Sequence, residues 1–291
     1  MKDDTARVLN TKESKRMPLG LSDNLFKRII AALVLLPPVI FIILSGGYWL
    51  TGLLAVGGVI MFLEWCEVTN IPEKPFRISG IFFILASVML GHILSGANGI
   101  TNLILVIFLP FLLIILSIRE YDGTEGRGLH ITRWGGNGIL YVILPLISLS
   151  WLRGVEDGAI YLFWTFLIVW ATDIGGYFFG KGIGGPKLAP KISPKKTWAG
   201  LLGGMLLAAI ASGVLAYIIN WGDITVICLV SLVVAAIAQM GDLLESAVKR
   251  AFGVKDSGGI IPGHGGLLDR VDGLVLAAPA MAIAYDYFAI I

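Results

Sequence analysis

Four carboxylates, Asp173, Asp242, Asp269 and Asp272, stand where long apolar stretches of this chain begin or end. Asp173 lies in WATDIGGYFFG, Asp242 in QMGDLLES, and Asp269 and Asp272 in LLDRVD. Residues three apart share a helix face, so Asp269 and Asp272 point the same way. Asp242, Ser246 and Lys249, at i, i+4 and i+7, do likewise. Acids at one depth in so apolar a setting are costly unless paired, hydrated or bound to a cation. Such hard oxygen donors suit Mg²⁺, which keeps several waters and has its shell completed by phosphates of a substrate. The alternative is ion pairing with Lys249, Arg250 or Arg270 at the lipid headgroup level, and Asp256 with Arg270 fits that description. For Asp242 and Asp269 the metal reading is favoured.

The acids frame a polar segment, Ser246–Asp272, with seven charged side chains, one histidine and six glycines in 27 residues. Its charges are Lys249, Arg250, Lys255, Asp256, Asp269, Arg270 and Asp272. A second polar segment, 180–199, carries five lysines, three prolines and no acid. Lysines beside exposed backbone amides cradle phosphates, and Ser193 and Thr197 add hydroxyl donors. The same segment would equally serve as a basic loop against anionic lipid headgroups. Gly180, Gly182 and Gly185 match G-x-G-x-x-G, but they follow an apolar helix rather than a strand, and Pro186 stands where a Walker A lysine belongs. His264, in PGHGG, has no second His or Cys at ligand spacing and is no zinc site. It reads as a polar contact on a loop closing over a substrate, or as a turn residue. Glu64 and Glu67, in MFLEWCEVT, either reach the membrane interface or touch a substrate or metal.

The elements that position these groups follow from composition. The 291 residues are 56% hydrophobic and only 14% charged, with mean hydropathy +0.85. Ordinary globular domains carry about 25% charged residues, so a soluble protein is excluded. Apolar runs approach the ~20 residues that cross a bilayer as a helix. The reading is an all-α polytopic membrane protein of about nine spans: 29–45, 48–68, 78–94, 100–118, 136–152, 160–179, 200–219, 223–243 and 273–291. With the N-terminus inside, 21 of the 22 Lys and Arg residues fall on cytoplasmic segments, Arg153 alone excepted. The positive-inside rule therefore fixes the orientation and places the polar segments on the cytoplasmic side. The expected organisation is a polar tail at 1–25, N-terminal membrane helices at 26–155 (spans 1–5) and a catalytic membrane part at 156–291 (spans 6–9). Cys66 and Cys228 lie inside apolar segments and read as small core residues without a disulfide.

At the polar segments the chain resembles the phosphatidate cytidylyltransferase (CDP-diacylglycerol synthase) family. The family signature is matched without a gap by Ser246, Val248, Lys249, Arg250, Lys255, Asp256, Gly258, Ile261, Pro262, His264, Gly265, Gly266, Leu267, Asp269, Arg270, Val271 and Asp272. A second block is similar from Trp170 to Asp173 and over Lys191-Ile192-Ser193-Pro194-Lys195-Lys196-Thr197-Trp198, with Gly200. Ala199 departs from the Glu or Gln that relatives often carry. The resemblance covers the last ~125 residues well and the first ~150 only as a hydropathy pattern.

It implies transfer of the cytidylyl group of CTP to phosphatidate, giving CDP-diacylglycerol and pyrophosphate in phospholipid synthesis. Mg²⁺ is the implied cofactor, with K⁺ a candidate second cation. The implied metal ligands are Asp242 and Asp269, helped by Asp173 and Asp272. Lys249, Arg250 and Lys255 are expected to neutralise the triphosphate or the leaving pyrophosphate. Lys191, Lys195 and Lys196, with Ser193 and Thr197, would bind phosphates from the other side. His264 and Arg270 would order the glycine loop; Asp256 joins the catalytic set, and Ser246, Gly265 and Gly266 the substrate contacts. The implied partners are CTP and phosphatidate drawn from the inner leaflet, with no nucleic acid and a homodimer as a candidate assembly. A CTP-dependent lipid-alcohol kinase is the rival within the same chemistry, and a secondary carrier the rival outside it.

Overall fold

The computed structural model describes residues 37–95, 126–260 and 265–288. The expected tail, the expected span 100–118 and His264 lie outside the described residues, and the expected span 29–45 lies partly outside them. Residues 37–45 are helical (α1). Then follow α2 (Gly47–Val68), α3 (Lys74–Ile93), α4 (Arg127–Gly154) and α5 (Gly158–Gly182). A short hairpin, β1 (Lys187–Ala189) and β2 (Ser193–Thr197), precedes α6 (Trp198–Ile219), α7 (Ile224–Ala251) and α8 (Leu268–Phe288).

Six helices among the described residues, α2 to α7, are long and apolar enough to cross a membrane. They coincide with the expected spans 48–68, 78–94, 136–152, 160–179, 200–219 and 223–243. Residues 273–288 of the expected span 273–291 fall on α8, whose first five residues include Asp269, Arg270 and Asp272, and residues 289–291 lie outside the described residues. The hairpin corrects the all-α expectation. Its antiparallel pairs are Lys187 with Thr197 and Ala189 with Ser193. Gly184 and Gly185 take positive φ at 68° and 87° and lead the chain into β1. The segment is too rich in lysine and proline to show the apolar alternation by which a strand is read.

Helices α2, α3 and α4 pack on one another, as do α5, α6 and α7, and α8 touches both groups through α4, α5 and α7. Small residues make the closest approach. On α6, Gly200, Gly203, Gly204, Ala208, Ser212 and Ala216 are buried, while Leu202, Leu206, Ile210, Val214 and Ile218 form an exposed stripe at i, i+4 spacing. Small residues let membrane helices meet backbone to backbone, where no hydrophobic effect drives them together. A Cβ on Gly204 would lie 2.7 Å from the carbonyl oxygen of Thr172 in α5. Gly204→Val should therefore force α5 and α6 apart and cost about 1–3 kcal/mol, the usual range for overpacking. Thermal unfolding in detergent checks this against Leu202→Val, on the exposed stripe, which should be near neutral.

The connections sort to two ends. At one end Arg153 donates to the carbonyl of Ile43 at 3.2 Å, Ser95 to that of Ser150 at 3.1 Å, and Trp221 to Asp157 at 3.3 Å. At the other, Arg127 pairs with Glu73 at 2.6 Å, His130 meets the carbonyl of Thr69 at 2.6 Å, and Leu267 donates to Glu64 at 2.8 Å. The segments that the basic residues assign to one side thus gather at one end of the bundle, wherever they are described. The Arg127 guanidinium, hydrogen-bonded to Glu73, holds that half-buried carboxyl below its ordinary range.

Candidate active site

Asp173 sits near the end of α5, Asp242 near the end of α7, and the hairpin folds back over both. Together they enclose a cavity of ≈ 500 Å³ whose lining includes Lys181, Lys187, Lys195 and Lys196, opposite Asp173 and Asp242. Four ammonium groups against two carboxylates make the wall net cationic, and the volume lies within the range of small-molecule sites. Lys196 forms an ion pair with Asp242, and Ser246 donates to the other oxygen of Asp242 at 3.4 Å. Thr197 caps α6: its Oγ1 accepts from the Gly200 N–H at 3.1 Å, so one residue ends β2 and starts the helix.

The expected phosphate-binding residues divide. Lys195, Lys196 and Thr197 line the cavity, whereas Lys191 and Ser193 do not. Lys181, Lys187, Tyr177 and Gln239 also line it. The two lysines were visible as part of the basic segment. Nothing in their spacing marked Tyr177 or Gln239.

The other polar segment, Ser246–Asp272, packs beside this cavity, joined to it where Ser246 meets Asp242. Lys249, 7% exposed, reaches from α7 to Asp269 at 2.5 Å and to Glu245 at 2.6 Å. Glu245 went unremarked in the sequence, although i, i+4 spacing to Lys249 is a recognisable helical pair. The other oxygen of Asp269 accepts from the Ser257 N–H at 2.9 Å, the Ser257 hydroxyl at 3.0 Å and the Gly266 N–H at 2.9 Å. Gly265, at φ 82°, turns the chain there; a side chain on it would be strained and would meet Asp269. Arg250 donates to the carbonyl of Val254 at 2.7 Å, and Lys255, Asp256 and Arg270 are exposed.

Glu64 is 2% exposed, enclosed by protein rather than presented at the surface. Its oxygens accept from the Leu267 and Leu268 N–H groups, each at 2.8 Å, and from the Ser257 hydroxyl at 3.3 Å. A carboxylate on the free amides of a helix N-terminus satisfies orphan donors and meets the positive end of the helix dipole. Glu67, by contrast, is exposed.

Among the described residues, no three His, Cys, Asp or Glu side chains converge as a metal-binding cluster. Mg²⁺ does not need one, since one or two carboxylates plus substrate phosphates hold it. Asp242 and Asp173 present such oxygens to the cavity, and Asp272 lies within coulombic range of both. Asp269 differs, because both its oxygens already accept from protein donors.

The model of the cytidylyltransferase family matches residues 26–288. The phosphatidate cytidylyltransferase of Brucella suis biovar 1 (strain 1330) is 39% identical over 273 residues, covering 91% of this chain and 95% of that protein. That of Staphylococcus haemolyticus (strain JCSC1435) is 34% identical over 263 residues, covering 88% and 95%. That of Staphylococcus aureus (strain COL) is 44% identical over 129 residues, 44% of this chain and 50% of that protein. With a family match over residues 26–288 and two of these relatives covered over 95% of their length, this integral membrane protein belongs to the cytidylyltransferase family.

Proposed function

We propose that this protein transfers the cytidylyl group of CTP to phosphatidate, releasing pyrophosphate and forming CDP-diacylglycerol. The observation that carries the reading is the lysine-lined cavity at one end of a membrane bundle, with Asp173 and Asp242 on its wall. A soluble nucleotide triphosphate and a lipid phosphate can meet there, because the lipid's acyl chains stay beside the helices while its headgroup reaches the cavity.

In the reaction, an oxygen of the lipid phosphomonoester forms a bond to the α-phosphorus of CTP. The bond from that phosphorus to the β-phosphate bridging oxygen breaks, and pyrophosphate departs with the electron pair. A phosphomonoester is already an anionic nucleophile, so the protein supplies charge neutralisation and alignment more than a base. Lys181, Lys187, Lys195 and Lys196 bind the phosphate oxygens. Asp242 and Asp173, with Asp272 close by, would hold Mg²⁺, which offsets phosphate charge when bound. Lys196, ion-paired with Asp242, supplies its charge to the same wall. Lys249 and Asp269 hold α7 and α8 in register. Arg250, Lys255 and Arg270 add positive charge to the segment beside the cavity. Ser246 holds Asp242, and the Gly265–Gly266 turn brings backbone onto Asp269. The end bearing the site faces the cytoplasm, a placement supported by the basic residues gathered there.

Phosphatidate-dependent pyrophosphate release in mixed micelles tests the reading. It predicts release that requires CTP, Mg²⁺ and phosphatidate together. Release unaffected by omitting phosphatidate would contradict it.

A further inference from the structure

Glu64 belongs to α2, yet it holds the start of α8, more than 200 residues later in the chain. Both of its oxygens accept backbone N–H groups at 2.8 Å, from Leu267 and Leu268. The backbone is drawn onto the carboxylate: a Cβ on Gly258 would lie 2.9 Å from its Oε1, and one on Gly266 would lie 2.7 Å from it. Two of the glycines in the polar segment therefore leave room for a side chain from the other half of the molecule. The Ser257 hydroxyl stands 3.3 Å from Glu64 and 3.0 Å from Asp269. It has one proton and so donates to one carboxylate at a time. From there Asp269 passes to Lys249, and Lys249 to Glu245. One polar chain thus runs from α2 through the glycine loop and α8 into α7.

We propose that Glu64 is a positioning residue for the transfer reaction: by seating the N-terminus of α8 it sets the register of Asp269, Arg270 and Asp272 against Asp242 of α7. The proposal rests on the function proposed above. Glu64 does not line the cavity. It acts through the backbone of residues 266–268. Its loss would misalign the acids and cations of α8, which registers in the rate of the aligned complex rather than in binding. The helices of the N-terminal half would then supply part of the active-site frame, not merely a membrane anchor.

The test uses full-length protein in nanodiscs, as wild type, Glu64→Gln and Ser257→Ala. Gln keeps the size of Glu but sets an NH₂ donor against a backbone donor. Rates are expressed per folded molecule, and amide hydrogen exchange is followed across 257–272. For Glu64→Gln the expected result is a fall in kcat of about tenfold or more, with KM for CTP and phosphatidate within about threefold. The amides of Leu267 and Leu268 should exchange faster. Ser257→Ala should lower kcat in the same direction by about threefold or more. Wild-type kcat per folded molecule in Glu64→Gln, whatever its thermal stability, would overturn the proposal, as would wild-type kcat in Ser257→Ala if the first variant fails to fold. Wild-type protein that forms no CDP-diacylglycerol would overturn the assigned reaction instead. The exchange measurement, which needs no substrate, would then decide the clamp, and unchanged protection at Leu267 and Leu268 would overturn it.

Discussion

Asp242→Asn should leave a folded membrane protein that turns over at least about a thousandfold more slowly, a barrier increase of about 4 kcal/mol. The substitution conserves shape and removes one charge. Lys196 loses its partner, and the cavity wall, with four lysines facing two aspartates, becomes more cationic still. Substrate anions should bind at least as well, so the defect should lie in kcat. A neutral amide is a poor ligand for Mg²⁺, whose preference is for carboxylate oxygens. Asp223→Asn is the matched control. Asp223 caps α7 at the opposite end, accepting from the Thr225 and Val226 N–H groups at 2.7 and 3.1 Å. Asn is as good a cap, so turnover there should stay within about twofold. Turnover of Asp242→Asn within tenfold of wild type, in protein that elutes as wild type does, would remove Asp242 from the reaction.

Lys249→Met should carry a larger stability cost than Gly204→Val. Lys249 lies buried between Glu245 and Asp269, at 2.6 and 2.5 Å. Breaking a buried pair leaves its partner charge uncompensated, at about 3–5 kcal/mol. Here two carboxylates would be left facing each other. Thermal unfolding in detergent, or the yield of monodisperse protein, reads the effect. Adding Glu245→Gln should recover part of the loss, because one of the two stranded charges is gone, and residues within one ion-pair network are non-additive. Turnover should not return with it, since Asp269 still lacks its cation. Wild-type unfolding of Lys249→Met would show that the observed pairing contributes nothing to the fold.

Local composition marks some features of this chain, and contacts between distant segments set others. Helix spans follow from composition and run length, and the six helices among the described residues that are long and apolar enough to cross coincide with six of the expected spans. The sorting of polar segments to one end follows from alternation, which basic residues record along the chain. The acids of the cavity wall, Asp173 and Asp242, were marked by their position at span ends. What the sequence did not disclose depends on contacts between distant segments or on backbone geometry. Glu64 showed only as an acid in an apolar run; that its partners are amides of α8 has no local signal. Lys249 looked like a phosphate ligand because its type is right, while its partner Glu245, four residues earlier, marked it as half of a pair. The hairpin escaped because its strands pair over a basic segment without alternating apolar residues. The glycines of the polar segment were legible as a tight loop, but the carboxylate that requires Gly258 and Gly266 comes from Glu64 of α2, while Gly265 makes room for Asp269 of the same segment.

The most direct test follows the label of CTP carrying a radioactive α-phosphate. Purified protein is supplied with Mg²⁺ and phosphatidate in mixed micelles, and the lipid phase is separated. Cytidylyl transfer predicts that the α-label enters the lipid fraction with an equimolar yield of pyrophosphate, and that a γ-label stays in the aqueous phase. A γ-label entering the lipid with CDP as co-product, or intact CTP with no labelled lipid, would contradict it.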